Sequence, residues 1–175
     1  RVGSSVRGGT VVAGCGAEGK AGEQALKPKA VRPHEGTLLL HDTSQDPGRV
    51  LQWFLRARSG RSVAGCGSDL SGDGADFEDI ADVWSGPDDA FYVLDRDAER
   101  VVRVQHGEAV VLGKGKLRLQ SACAIAVSTD RAIFVLESGG ARVLRYLDGR
   151  VSTVAGGANP GSGSGQLNAG PSGRI

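Results

Sequence analysis

The sequence predicts an all-β fold, an incomplete β-propeller of four-stranded antiparallel blades, and three observations carry that prediction. A glycine-centred apolar run recurs four times along the 175 residues. A strand–turn–strand pattern with an acid and an arginine at its turn accompanies the run. Between them, short runs rich in β-branched and aromatic residues are separated by Gly, Asp, Ser and Pro. That alternation is typical of strands and turns, and no long stretch has the period of a helix.

The glycine-centred run sets the period of the repeat. Its copies are VVAGCG at 11–16, SVAGCG at 62–67, VVLGKG at 110–115 and TVAGGA at 153–158. The structural glycines predicted from them are Gly14, Gly65, Gly113 and Gly156, which lie 51, 48 and 43 residues apart. Propeller blades repeat at roughly 40–50 residues. We therefore predict one segment, residues 1–175, with repeat units 10–61, 62–109, 110–152 and, in part, 153–175.

The second repeated pattern is a hairpin whose turn is flanked by an acid and an arginine. The pairs are Asp95 with Arg100, Glu137 with Arg142 and, across a longer turn, Asp42 with Arg49. A feature found in every repeat usually serves the repeat itself. We therefore expect a structural ion pair at each hairpin turn, and an exposed pair of this kind contributes about 0–1 kcal/mol.

These runs resemble the NHL repeat, whose pattern reads VAGG…SGDGG…PSGIAVD…IYVAD…HRV. The resemblance rests on TVAGG at 153–157, SGDG at 71–74 and QLNAGPSG at 166–173, and it extends from about residue 10 to residue 175. It implies a propeller, usually of about six blades. The roughly three and a half blades counted here would not close alone. We therefore expect further blades or a neighbouring subunit to complete the propeller.

The repeat also predicts which loops share a face. Antiparallel order places the acid–arginine turns on the same face as the loops that lead from each outer strand to the next inner strand. Repeat proteins bind their partners through such loops. The loop residues that we predict at this interaction face are Lys20, Lys27, Asp73, Asp76, Lys114, Lys116 and Asn159.

One loop has a weak resemblance to a calcium site. Asp69, Ser71 and Asp73 place oxygen atoms at every second residue, as in the first half of a calcium-binding loop. The twelfth position is Ile80, where a bidentate Glu would be needed. We favour a turn in which Gly72 and its neighbouring glycine at 74 adopt positive φ and the Asp73 side chain bonds its own loop.

No set of residues predicts a catalytic or cofactor site. His34, His41 and His106 do not recur at matching blade positions, so we expect partly exposed histidines that do not converge on a metal. Cys123 is expected to be a small core residue. The glycine-rich stretch 14–20 lacks the Ser or Thr that follows a phosphate-binding loop, and no cofactor is predicted.

Charge and composition narrow the class of partner. The chain has 21 basic and 20 acidic residues, a net charge of +1, so nonspecific attraction to nucleic acid is unlikely. No apolar run reaches the roughly 18 residues of a membrane span. The unpaired cysteines favour a reducing compartment, while the absence of Met permits a processed chain. A soluble protein of the cytoplasm or of an organelle lumen fits both observations.

We predict a non-catalytic interaction or scaffold module that belongs to a larger protein or assembly and binds protein partners. The resemblance to NHL repeats leaves two alternatives. One is a propeller lyase or lactonase whose site lies in blades outside this sequence. The other is an RNA-binding NHL domain.

Overall fold

The computed structural model describes Ala13 and residues 27–57 and 59–157. Every regular element in these ranges is a β-strand. The described residues contain no helix that is long and apolar enough to span a membrane. The strands are β1 (Pro28–His34), β2 (Thr37–Asp42), β3 (Arg49–Phe54), β4 (Ser59–Gly65), β5 (Ile80–Ser85), β6 (Phe91–Asp95), β7 (Arg100–Gln105), β8 (Glu108–Leu112), β9 (Ala122–Val127), β10 (Ile133–Glu137), β11 (Arg142–Leu147) and β12 (Arg150–Gly156).

The strands form three four-stranded antiparallel sheets, each made of strands that follow one another in the chain. Sheet 1 contains β1–β4, sheet 2 contains β5–β8 and sheet 3 contains β9–β12. The first strands of the sheets lie side by side, β5 against both β1 and β9, so they are the inner strands of a radial arrangement. The last strands lie at the perimeter. This arrangement confirms the predicted all-β fold of propeller blades.

The sheets are offset from the sequence repeats by about one strand. The unit boundaries at 61/62, 109/110 and 152/153 fall inside β4, β8 and β12, which are the outer strands of the three sheets. Each outer strand therefore spans the junction of two repeat units. The chain then crosses from the perimeter to the inner strand of the next sheet.

Apolar side chains fill the two spaces between neighbouring sheets. The cluster between sheets 1 and 2 includes Leu39, Val50, Val83, Val93 and Val102. The cluster between sheets 2 and 3 includes Tyr92, Leu94, Val101, Ile125, Ile133, Val135 and Leu144. Since side chains alternate across a strand, β6 and β7 supply both clusters, which explains their near-continuous apolar sequence. A third, small cluster of Leu40, Leu51 and Trp53 covers the far side of sheet 1 and contacts Ala13.

Gly65 shows why the repeated glycine is needed at the end of an outer strand. Its φ is +74°, and a Cβ built there would lie 2.4 Å from the carbonyl oxygen of Gly48. Gly156 repeats this geometry in sheet 3, with a φ of +78° and a distance of 2.0 Å to the carbonyl oxygen of Ala141. A side chain at either position would collide with the backbone of the hairpin turn. Gly14 lies outside the described residues.

Candidate functional site

The hairpin turns and the ends of the crossover loops meet on one face of the sheets, which we call the front face. The amide of Cys66 donates to the carbonyl of Gly48, and the amide of Arg96 donates to the carbonyl of Asp79. In sheet 3 the amide of Ser138 donates to the carbonyl of Ser121. The opposite, back face carries the turns at 35–36, 86–90, 106–107, 128–132 and 148–149.

On the front face, a buried carboxylate fastens each hairpin turn to the loop before its sheet. Asp42 accepts hydrogen bonds from the Lys27 amide at 2.8 Å, from Ser44 and from the Arg49 guanidinium at 2.9 Å. Burial alone would raise the pKa of Asp42, but the bonds from Lys27, Arg49 and Ser44 outweigh it and hold the pKa below its usual value. We call this arrangement the carboxylate clamp.

The carboxylate clamp recurs in the other two sheets. Asp95 accepts the amide of Asp79 at 2.9 Å and the Arg100 guanidinium at 3.0 Å. Glu137 accepts the amide of Gln120 and the guanidinium of Arg142. All three acids are completely buried, so the estimate for an exposed ion pair is wrong for them. The pairing through backbone amides is what allows the charge to be buried.

The crossover loop 66–79 departs from the predicted path. It runs along the outer edge of sheet 2 to the back face, where Ser71 pairs with Glu108 and its amide donates to the Gly107 carbonyl. It then returns to the front face at Asp79. The loop takes this course because Gly72 and Gly74 pack against β8. Part of the predicted interaction loop therefore lies away from the front face.

The main hydrogen bonds of the Asp73 carboxylate reach β8 and the turn after it, which differs from the predicted local turn. The carboxylate accepts the Val111 amide at 3.1 Å and the Lys114 ammonium at 2.8 Å. The hydrogen bond from Lys114 is the main cause of a lowered pKa for Asp73. Gly72 does adopt a positive φ, but the glycine at 74 does not. That second glycine is needed because a Cβ there would lie 2.7 Å from a Val102 methyl group.

The proposed calcium ligands do not gather around a common point. Asp69 borders a crevice between sheets 1 and 2, whereas Asp73 is held at the edge of β8. Within residues 27–57 and 59–157 no three His, Cys, Asp or Glu side chains are placed to hold a metal. Of the other predicted interaction residues, Lys27, Asp76 and Lys116 are exposed, and Lys20 and Asn159 lie outside the described residues.

A polar network that the sequence analysis missed joins the three inner strands. Arg32 contacts Asp82 at 3.3 Å, and the other oxygen of Asp82 accepts the Ile125 amide at 3.2 Å. The Arg32 guanidinium lies 5.0 Å from the centre of the Trp84 ring, whose indole nitrogen donates to the Val127 carbonyl at 3.1 Å. The network borders an axial groove of about 830 Å³.

The axial groove carries cations and one carboxylate. Its polar lining consists of Lys29, Arg32, Asp82, Arg96 and the half-buried Cys123. Arg32 is paired with Asp82 and Arg96 with Asp79, so acids already neutralise two of the three cations in this lining. Burial is the main cause of a raised pKa for the Cys123 thiol, which disfavours a reactive thiolate.

The histidines contradict the predicted partial exposure at two of three positions. His41 is completely buried, because it faces sheet 2 from the position that Leu94 and Leu136 occupy in the other sheets. Within residues 27–57 and 59–157 neither of its ring nitrogens has a hydrogen-bond partner. Burial, followed by the charge of Lys29, lowers the pKa of His41 to about 4. His106 is exposed on the back face.

His34 is also buried, and it joins sheets 1 and 2 at the back face. Its Nδ1 lies 2.9 Å from the hydroxyl of Ser85, and its Nε2 lies 3.3 Å from a carboxylate oxygen of Asp89. The ring packs edge-on against Phe91, with centroids 6.0 Å apart. His34, Asp89 and Phe91 line a crevice of about 500 Å³ between the two sheets. The sequence gives no local signal of this cluster, because His34 and Ser85 come from different repeats.

Sheet 3 presents an apolar face that no described residue covers. Phe134, Leu136 and Val143 point away from sheet 2 and are half-buried. The residues at the same positions of sheet 2 are Tyr92, Leu94 and Val101, and they are buried against sheet 3. The difference in burial has one cause, which is the presence of a neighbouring sheet on one of the two faces.

Comparison with known proteins supports the fold and nothing finer. The chain resembles the crystal structure of virginiamycin B lyase from Staphylococcus aureus with a TM-score of 0.52 and 13% sequence identity. The fold is that of a β-propeller. The matched region covers 72% of this chain and 40% of the lyase chain, so it spans less than half of that protein. No family model and no curated protein matches the sequence, and the NHL family stays a resemblance.

Proposed function

We propose that this chain is an interaction or scaffold module whose open face, made by Phe134, Leu136 and Val143, receives a further four-stranded blade. The observation that carries the proposal is the contrast between this face and its counterpart in sheet 2. The blade that covers it would belong to the same protein or to a neighbouring subunit.

The internal repeat defines what the occupant must look like. At the interface between sheets 2 and 3, the covering surface consists of Ile125, Ile133, Val135 and Leu144, all of them buried. These residues cover Tyr92, Leu94 and Val101 of sheet 2, and the open face of sheet 3 has large apolar residues at the same three positions. A sheet with β-branched and leucine side chains on its near face would therefore bury Phe134 and Leu136 as Tyr92 and Leu94 are buried. Burial of each large apolar side chain contributes about 1.5–3 kcal/mol.

The opposite end of the described chain does not offer an equal surface. Leu51 and Trp53, on the far side of sheet 1, are already buried and contact Ala13. The exposed apolar surface is therefore one-sided. A one-sided surface favours a single docked blade over a head-to-tail ring of two identical chains, which would need two free faces.

Site-specific photo-cross-linking in the full-length protein tests the proposal. A benzoylphenylalanine at Phe134 should cross-link to a β-strand segment of a further blade, identified by mass spectrometry of the digested product. The same probe at Val110, which is 38% exposed on an outer strand, serves as the control. Equal cross-linking at both positions, or none at Phe134, would refute a docked blade.

A propeller lyase or lactonase is the second candidate, and the observation behind it is the axial groove of about 830 Å³. Phe134, Leu136 and Val143 of the open face also line this groove, so a docked blade and a substrate would compete for the same space. The inner strands described here supply one carboxylate to it, Asp82, which is bound to Arg32. Other ligands would have to come from blades outside this sequence. The metal content of the full-length protein, with its activity on lactones, tests this candidate, and a metal-free inert protein would eliminate it.

A further inference from the structure

The cluster of Ser85, His34 and Asp89 at the back face is not explained by the blade repeat. By strand register, His34 takes the position of Gly86 in sheet 2 and of Ser128 in sheet 3. Ser85 takes the position of Val127 in sheet 3. Blades therefore form without a histidine at the position of His34 and without a serine at the position of Ser85. The cluster exists only where sheets 1 and 2 meet.

We propose that Ser85 is an activated nucleophile and that the cluster reacts with small acyl esters. In the tautomer that carries its proton on Nε2, that proton faces the Asp89 carboxylate, whose oxygen lies 3.3 Å from Nε2. The lone pair of Nδ1 then faces the Ser85 hydroxyl at 2.9 Å and can accept its proton. Serine, base and orienting acid thus have the relationship on which serine hydrolases depend, with the two ring nitrogens exchanged.

The local structure holds the imidazole and the acid in place. Phe91 packs edge-on against the His34 ring, and the Thr37 hydroxyl donates to the His34 carbonyl at 2.6 Å. Asp88 and Asp89 adopt φ angles of +58° and +55°, which non-glycine residues rarely do. The ion pair of Asp88 with Arg131, from sheet 3, helps to hold that turn. Positive φ angles also occur at Glu35, His106 and Asp148 in other turns, so they define the shape of the turn and are not specific to the cluster.

The crevice beside the cluster defines the class of substrate. Ser85 and Phe91 are direct partners in the ladder, so their side chains project from the same face of sheet 2 toward sheet 1. Phe91, Leu39 and Val104 form an apolar wall of the crevice, and Arg61 and Gln105 are among its polar lining residues. Its volume of about 500 Å³ fits a short apolar acyl group better than a polymer.

The reaction follows from the positions of the three groups. The Ser85 oxygen forms a bond to the acyl carbon while its proton passes to Nδ1 of His34. The ester C–O bond then breaks, and the leaving alcohol takes that proton. Water subsequently attacks the acyl carbon and gives one proton to Nδ1 of His34. The bond between the acyl carbon and the Ser85 oxygen then breaks, that oxygen takes the proton from His34, and the carboxylic acid leaves. Asp89 acts as a positioning residue, because it touches the imidazole and not the substrate.

This activity goes beyond the proposed scaffold role and does not depend on a docked blade. A fluorophosphonate probe, which phosphonylates activated serines, is the direct test on the full-length protein. We expect one phosphonyl group per chain, located at Ser85 by peptide mass spectrometry. Labelling should be lost in Ser85→Ala and in His34→Gln, and in Asp89→Asn it should slow at least tenfold with a changed pH profile.

A matched control separates activation from simple exposure. Ser128 lies in the corresponding turn of sheet 3 and bonds Asp130 without a histidine. Ser128→Ala should leave labelling at Ser85 unchanged, and circular dichroism should show the same fold for every variant. Absence of labelling in the folded wild-type protein would overturn the proposal. So would a His34→Gln protein that keeps its fold and is labelled as fast as the wild type.

Discussion

Replacement of the buried His41 by leucine should make the protein more stable. His41 is completely buried, and neither ring nitrogen has a hydrogen-bond partner in the part of the chain that the structure describes. Leaving a buried polar group unpaired costs about 1–3 kcal/mol. Leucine is the residue at the corresponding positions of sheets 2 and 3, where Leu94 and Leu136 lie. We therefore expect His41→Leu to raise the free energy of unfolding by about 1–3 kcal/mol at pH 7.5.

The pH dependence of this effect has a definite sign. The pKa of His41 falls from 6.5 to about 4 in the folded protein. Above pH 6.5 both the folded and the unfolded states are neutral at this residue, and its contribution to stability does not change with pH. Below pH 6.5 the unfolded state takes up a proton and the folded state does not, so stability falls until about pH 4. The whole loss is of the order of 3 kcal/mol, and about 2 kcal/mol of it is present at pH 5.

Urea unfolding followed by the fluorescence of Trp53 and Trp84 would measure both effects. The advantage of His41→Leu over the wild type should grow by about 2 kcal/mol between pH 7.5 and pH 5. The exposed His106 has a φ of +51°, which asparagine tolerates, so His106→Asn is the matched control and should change neither quantity. A His41→Leu protein that is less stable than the wild type, with the same pH dependence, would refute the reasoning.

Three further substitutions, two of them with a matched control substitution, test the front face and the repeat. Asp95→Ala leaves Arg100 and two backbone amides without their partner, so it should lower the free energy of unfolding by about 3–5 kcal/mol in urea unfolding. Asp97→Ala, on the exposed side of the same turn, should lower it by under about 0.5 kcal/mol. Gly65→Ala should cost at least about 2 kcal/mol because its Cβ meets backbone, whereas Gly107→Ala, with free space around it, should cost about 1 kcal/mol. Asp73→Asn should leave the urea midpoint close to that of the wild type, and the difference should shrink at high salt, because the Asp73–Lys114 pair is exposed. Equal losses within either matched pair, or a large loss for the last variant, would contradict these assignments.

The strands could be predicted because their signals are local. The run from Phe91 to Val104 has apolar residues, a turn and a second apolar stretch, and the register in the structure follows directly from that order. The carboxylate of Asp95 was expected to pair with Arg100 for the same reason. Its burial could not be predicted, since the two amides that it accepts belong to the loop at 78–79, outside the hairpin.

The parts that sequence reasoning missed depend on contacts between repeats. The course of the 66–79 loop is decided by the fit of Gly72 against β8, which lies more than 30 residues further along the chain. His34 and Ser85 are 51 residues apart and occupy different positions in their blades. A search for recurring residues therefore passes over them. His41 was misjudged because its burial depends on which side of β2 faces the neighbouring sheet.

The outer strands and the crossover loops have a consequence for how the protein comes apart. The loop at 66–79 belongs covalently to the end of sheet 1, yet it pairs with the edge of sheet 2 through Ser71 and Asp73. It then enters sheet 2 beneath the clamp of Asp95. Unfolding of sheet 1 or sheet 2 would break the hydrogen bonds of this loop to β8 and expose the apolar cluster between the two sheets. The blades should therefore melt in a single cooperative transition, and a protease should find no early cut between sheets 1 and 2.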